Sequence, residues 1–137
     1  MKINSVFSGF SVDDQAKAKE FYSKVLGFDL IDEEMGLRFR LPFGATLFVY
    51  GKDDHVPATY TVLNLVAADI DAAVDELREK GVTFEIYKNL FENAPQQDEK
   101  GIMRSPDPLK YGPSIAWFKD PAGNILSVIQ DTSASVA

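Results

Sequence analysis

The chain has 137 residues, 45% of them hydrophobic, with a net charge of −7 and no cysteine. This is one domain's worth of chain, long enough for a true core, and the lack of cysteine excludes disulfide and thiolate chemistry. The acidic balance argues against a nucleic-acid partner, which needs a basic footprint. No run of about eighteen apolar residues and no charged-then-apolar leader is present, so neither a membrane partner nor a signal peptide is expected, and a cytoplasmic location is.

Ile3 to Phe10 is a mostly apolar run that predicts a strand. Asp13 or Asp14 then caps a helix carrying Ala16, Phe21, Val25 and Leu26 near helical spacing, and Gly27 stops it. Phe28 to Asp32 restarts as a strand. Gly36 marks a turn, Leu37 to Leu41 is a strand, Pro42-Phe43-Gly44 turns again, and Ala45 to Tyr50 is a strand. The first half therefore reads β-α-β-β-β.

A polar, proline-containing connector over residues 52–58 follows. Thr59 to Val66 predicts a strand. Asp69 or Asp71 caps a second helix with Ile70, Val74 and Leu77, and Gly81 stops it. Val82 to Leu90 predicts a strand. A polar stretch over 92–113 has no counterpart in the first half and reads either as a lid, closed by Met103, Leu109 and Tyr111, or as a passive insertion.

The run Ile115 to Gln130 is a hairpin. Its two apolar strands flank Asp120-Pro121-Ala122-Gly123-Asn124, in which proline pre-sets φ and Gly123 accepts a positive one. Alternation puts Ile125, Ser127 and Ile129 on one face, and Leu126, Val128 and Gln130 on the other. The second half again reads β-α-β-β-β, so the order of elements repeats, with module 1 over about 1–51, module 2 over about 59–131 and a short C-terminal tail.

Three segments carry a resemblance. Phe21-Tyr22-Ser23-Lys24-Val25-Leu26-Gly27-Phe28 resembles the helix-end signature of the vicinal oxygen chelate superfamily. Asp69 to Val74 with Gly81-Val82 is similar to the equivalent segment of its second module, and Phe118 to Asn124 to its terminal hairpin. That superfamily includes glyoxalase I, bleomycin-resistance proteins and extradiol dioxygenases. The resemblance implies an α+β fold in a single domain: two tandem βαβββ modules whose curved mixed sheets enclose a pocket, commonly in a homodimer. Fold does not by itself give function.

Enzymes of this superfamily usually bind a divalent metal through His, Gln or Glu on pocket-facing strands. The resemblance places those positions on Phe7, Phe48, Val62 and Ser127, none of which is such a ligand. No metal and no cofactor are therefore expected. His55, the one histidine, sits in the connector beside Asp53 and Asp54 and reads as an exposed linker residue.

The pocket face implied by the resemblance comprises Phe7, Gly9 and Ser11 on the first strand, and Thr46, Phe48 and Tyr50 on the fourth. In module 2 it comprises Val62, Asn64 and Val66, then Ile115 and Trp117, then Ser127 and Ile129. Such a surface, apolar and aromatic with a few hydroxyl and amide groups, suits a small organic ligand, or else fills the space as core. Arg38 and Arg40 share a strand face and offer either a bidentate grip on a carboxylate or phosphate or a solvated edge. Two functions follow: a metal-free small-molecule-binding protein, or an enzyme that is metal-independent or uses displaced metal ligands.

Overall fold

The structure, a computed structural model, describes residues 1–88 and 96–133. The chain divides into two compact units. The first is Met1–Ala58 together with the turn Asp120–Asn124, and the second comprises Thr59–Lys119 and the chain from Ile125 onward. Each contains one mixed sheet, so the fold is α+β as the sequence predicts. Among the described residues no helix is long and apolar enough to cross a membrane.

In the first unit the order is β1 (Ser8–Val12), α1 (Gln15–Glu20), a π-helical segment (Phe21–Val25), β2 (Asp29–Asp32), β3 (Leu37–Arg40), a short turn of helix (Pro42–Gly44) and β4 (Thr46–Gly51). The sheet runs β1-β4-β3-β2, with β1 parallel to β4 and the other pairs antiparallel. The first strand begins later than the apolar run suggests. Ser8 pairs with Leu47, so the register reaches the start of β4 one residue earlier, and residues 1–7 have no strand beside them. Ile3, Val6 and Phe7 are accordingly exposed.

Asp14, not Asp13, caps α1: its carboxylate accepts from the Lys17 N–H at 3.1 Å. The helix then widens, the Leu26 N–H reaching back five residues to the Phe21 carbonyl at 3.0 Å. That π turn shifts the helical phase, so the adjacent Phe21 and Tyr22 are both buried while Ala16 lies exposed. A regular helix would turn neighbours apart by about 100°. Tyr22 becomes the hub of the core, its ring within 5.2–6.1 Å of Phe10, Phe21, Phe28 and Phe39. Val12, Leu37, Phe39, Leu47 and Val49 complete this buried side of the sheet.

In the second unit β5 (Thr61–Ala67) leads to α2 (Ile70–Glu79), α3 (Pro108–Tyr111), β6 (Ile115–Lys119) and β7 (Ile125–Gln130). The sheet runs β5-β7-β6, with β5 parallel to β7 and β6 antiparallel to it, repeating the β1-β4-β3 arrangement. Asp69, not Asp71, caps α2, accepting from the Ala72 N–H at 3.2 Å, and Ile70, Val74 and Leu77 are its buried face.

The strand expected over Val82–Leu90 is absent among the described residues, which end before Asn89. Phe84 makes an isolated antiparallel bridge to Phe118, and the Glu85 N–H donates to the Trp117 carbonyl at 2.8 Å. Beyond that point a side chain replaces the neighbouring strand. The Gln97 carboxamide accepts from the Tyr87 N–H at 2.6 Å and donates to the carbonyls of Glu85 and Gly101 at 2.9 and 2.7 Å. An amide has the donor and acceptor of a peptide unit, so it satisfies the backbone there without a ladder. Replacing Gln97 by Ala is expected to cost about 1–3 kcal/mol and to raise amide exchange at Tyr87. Unchanged protection of the Tyr87 amide would show that the carboxamide does not hold this segment.

Of the stretch 92–113, residues 92–95 lie outside the described residues. Its later part is anchored. Met103 bridges to Ile115, Ile102 is fully buried, and Arg104 donates to both carboxylate oxygens of Asp71 at 2.7 and 2.9 Å. The Arg104 guanidinium holds the Asp71 carboxyl below its ordinary range. Lys100 adds an ion pair with Asp75 at 2.9 Å. Leu109 and Tyr111 remain exposed on α3.

Candidate functional site

Register decides which side chains share a face. In the first unit Gly9 lies opposite Phe48, Ser11 opposite Tyr50, Arg38 opposite Phe48 and Arg40 opposite Thr46. Hence Gly9, Ser11, Thr46, Phe48 and Tyr50 project from one side of the sheet, with Phe7 in the same alternation, and the core with α1 occupies the other side. The Phe48 and Tyr50 rings stack at 5.6 Å and 24°, and Phe7 meets Phe48 edge-on at 6.3 Å. Phe7 is 53% exposed, and Phe48 and Tyr50 are half-buried.

Gly36 fixes where the Phe48 ring lies. A Cβ at Gly36 would come within 2.8 Å of the Phe48 ring tip, so only glycine lets that ring lie against the chain. Arg38 caps the platform from the same face, its guanidinium carbon 5.4 Å from the Phe7 centroid and 5.7 Å from that of Phe48. Arg40 behaves differently and pairs with Asp29 at 3.3 Å.

His55 is not the free linker residue that its neighbours suggested. It is partly buried, with Nδ1 2.7 Å from the Ser11 hydroxyl and Nε2 3.1 Å from the Ala122 carbonyl. A carbonyl only accepts, so Nε2 carries the proton, and in the neutral ring Nδ1 accepts from Ser11. No motif signals this contact, because Ser11 and Ala122 are 44 and 67 residues from His55 in sequence.

The turn that receives His55 is itself pinned. Gly123 adopts a φ of 87°, and its N–H closes the turn on the Asp120 carbonyl at 3.0 Å. The buried Asp120 carboxylate accepts from the N–H groups of Ala122 and Asn124 and from the Asn124 amide, all within 3.0 Å. It also accepts from the Tyr22 hydroxyl at 2.7 Å. Burial, reinforced by the Asp120 charge, pushes the Tyr22 phenol far above its ordinary range, so it stays a donor. The Asn124 amide also donates to the Ser11 carbonyl at 2.9 Å, tying the turn to β1.

In the second unit Asn64 lies opposite Ser127, Val66 and Ile115 opposite Ile129, and Trp117 opposite Ser127. These side chains share one face, and Val62 stands where the β5 register shifts. The Ser127 hydroxyl donates to Asn64 Oδ1 at 2.5 Å and is fully buried. Trp117 is nearly buried and meets Tyr87 edge-on at 5.7 Å. Burial, with the Glu85 charge adding to it, raises the Tyr87 phenol above its ordinary range. A separate shallow groove of about 470 Å³ runs along α1 of the first unit between Lys17, Phe21, Val25 and Pro121, and none of the expected pocket residues lines it.

A family model described as the Glyoxalase/Bleomycin resistance protein/Dioxygenase superfamily matches residues 2–128. The chain belongs to that superfamily. A member of it from Sphaerobacter thermophilus DSM 20745 is 26% identical, with 94% of this chain and 98% of that chain covered and a TM-score of 0.65. TnmS3, an antibiotic binding protein from Streptomyces sp. CB03234, is 27% identical over 95% of this chain and 98% of its own, with a TM-score of 0.63. A glyoxalase/bleomycin resistance protein from the same Streptomyces is 28% identical over 91% of this chain and 100% of its own, with a TM-score of 0.58. No curated protein matches the sequence.

The metal that many superfamily enzymes use does not fit the residues at the positions that the resemblance implies for its ligands. Phe7, Phe48 and Val62 have no donor atom, and Phe7 and Phe48 are packed against each other. Ser127 offers only a neutral hydroxyl, already bonded to Asn64. Among the described residues no group of three His, Asp or Glu side chains is arranged to hold a metal ion.

Proposed function

We propose that this superfamily member is a metal-free binding protein for a small, largely apolar organic molecule, cytoplasmic and working as a homodimer. The single observation that carries the reading is the half-exposed aromatic platform of Phe7, Phe48 and Tyr50, two of whose rings, Phe7 and Phe48, stand where the resemblance implies metal ligands. Aromatic faces supply affinity by area and stacking, while sparse polar groups orient the guest. The remaining expected lining residues are Gly9, Ser11 and Thr46 of the first sheet, and Val62, Asn64, Ile115, Trp117, Ser127 and Ile129 of the second. The likeness to the antibiotic binding protein TnmS3 supports a binding role.

The test is elemental analysis of protein purified without chelator, followed by calorimetric titration with amphipathic aromatic molecules. We expect no stoichiometric Ni, Zn, Mn or Fe, micromolar binding of at least one aromatic, and a loss of about tenfold in affinity in Phe48→Ala. Stoichiometric metal, or no binding across the panel, would overturn the reading.

A metal-independent enzyme is the second reading, favoured by the 2.7 Å contact between the Ser11 hydroxyl and His55 Nδ1 beside Tyr50. Mass spectrometry of any bound ligand after prolonged incubation separates the two, since binding alone returns it unchanged.

A further inference from the structure

Arg38 is the half-buried arginine of this chain, the other three, Arg40, Arg78 and Arg104, being exposed. The protein is acidic, at −7, yet among the described residues no carboxylate lies within ion-pairing distance of the Arg38 guanidinium. Nor, among the described residues, does any of its N–H groups make a hydrogen bond, although Arg40 and Arg104 are both paired. Arg38 is instead half-buried against the rings of Phe7 and Phe48 at 5.4 and 5.7 Å. Cation–π contact uses the charge of the guanidinium and no hydrogen bond, so its donor fork is left unoccupied. An unoccupied fork of that shape matches a carboxylate, which it grips through two parallel hydrogen bonds.

The surroundings narrow the ligand further. Beside the fork lies a stacked pair of rings, Phe48 and Tyr50, and Gly9 opposite Phe48 contributes no side chain to cover them. A flat ring system is the shape that fits. A phosphate ester is a poorer match, because it carries close to two charges and this face offers one unpaired cation.

We infer that Arg38 is the anion-recognising residue of this face, and that the ligand is a planar aromatic molecule bearing a carboxylate. The inference rests on the binding-protein reading and deepens it by naming the ligand's chemistry. Aromatic contact with Phe48 and Tyr50 supplies apolar area that acid and neutral isostere share, and the Arg38 fork selects the acid.

The experiment is a fluorescence-anisotropy titration of the full chain with 2-anthracenecarboxylate and with its neutral isostere, 2-anthracenecarboxamide, at low and high salt. The acid is expected to bind about tenfold more tightly than the amide, with the difference shrinking as salt rises. Arg38→Gln should weaken the acid about tenfold and leave the amide nearly unchanged, while Arg38→Lys, which keeps charge without the fork, should fall between. Thermal melts of both variants establish that they are folded, and the lysine variant carries the test if the glutamine variant is not. Equal binding of acid and amide, or equal weakening of both in Arg38→Gln, overturns the anion assignment and leaves the binding reading standing. Failure of both probes, together with the wider aromatic panel, overturns the two together.

Discussion

Replacing Asp120 by Ala is expected to destabilise the protein by about 3–5 kcal/mol, the scale seen when one partner of a buried charged network is removed. Asp120 is buried, and its two oxygens accept from Tyr22, Ala122 and Asn124. Without them the Tyr22 hydroxyl is stranded inside an aromatic core, since the rings of Phe10, Phe21, Phe28 and Phe39 offer it no acceptor. The turn also loses the contacts that hold the Ala122 and Asn124 N–H groups. Tyr22→Phe removes the same hydroxyl without stranding a buried donor, so it should cost only about 1–1.5 kcal/mol. Chemical denaturation of both variants checks this ordering. If Asp120→Ala does not fold, Asp120→Asn, which retains one acceptor, should still be more costly than Tyr22→Phe. A cost for Asp120→Ala below that of Tyr22→Phe would show that the carboxylate is not the centre of the network.

That network joins two of the three segments that suggested the family from sequence, and the contrast shows what a sequence exposes. The helix end at Phe21-Tyr22 and the turn at Asp120–Asn124 were each legible, because caps, glycines and alternation are local signals. Their meeting was not, since Tyr22 and Asp120 are 98 residues apart and no periodicity links them. The strands at Leu37–Arg40 and Thr46–Gly51 were legible for the same local reason. Among the described residues of the expected strand over 82–90, pairing stops after the Phe84–Phe118 bridge, because the next neighbour of the backbone is a Gln97 side chain. The run Ile3–Phe7 failed because pairing needs a partner, and β4 starts too late to give one.

The candidate site divides in the same way. The resemblance implied that Phe7, Gly9, Ser11, Thr46, Phe48 and Tyr50 share a face, and the register puts Gly9, Ser11, Phe48 and Tyr50 on one side of the first sheet. The resemblance could not say that Arg38 shares that side, because this follows only from Arg38 standing opposite Phe48. His55 was misread for want of the same information. Adjacent Asp53 and Asp54 made it look solvated, whereas its two ring nitrogens are engaged by Ser11 and Ala122.

Ser127 offers the sharpest test of the metal-free reading, because the resemblance aligns it with the last-strand glutamate of the superfamily's metal enzymes. We expect Ser127→Glu to lose about 4 kcal/mol or more at neutral pH. The native side chain is fully buried and bonded to the neutral amide of Asn64, so the introduced carboxylate would be a buried charge whose hydrogen-bond neighbour carries no counter-charge. Ser127→Gln has the same bulk without the charge and should cost only the overpacking, about 1–3 kcal/mol. Burial raises the folded pKa of the introduced acid above its unfolded value of about 4.3. The folded form then holds the proton more tightly, so stability is retained below that value and lost as pH rises through the folded one. The deficit of Ser127→Glu relative to Ser127→Gln should therefore shrink as pH is lowered from about 7 to about 5. Denaturation across that window, with and without Zn, Ni or Mn, decides the matter. Phe7, Phe48 and Val62 supply no other donor, so added metal should leave the midpoint where it was. Metal-dependent recovery of stability would mean that the scaffold still assembles a coordination site around this position, and the metal-free reading would fall.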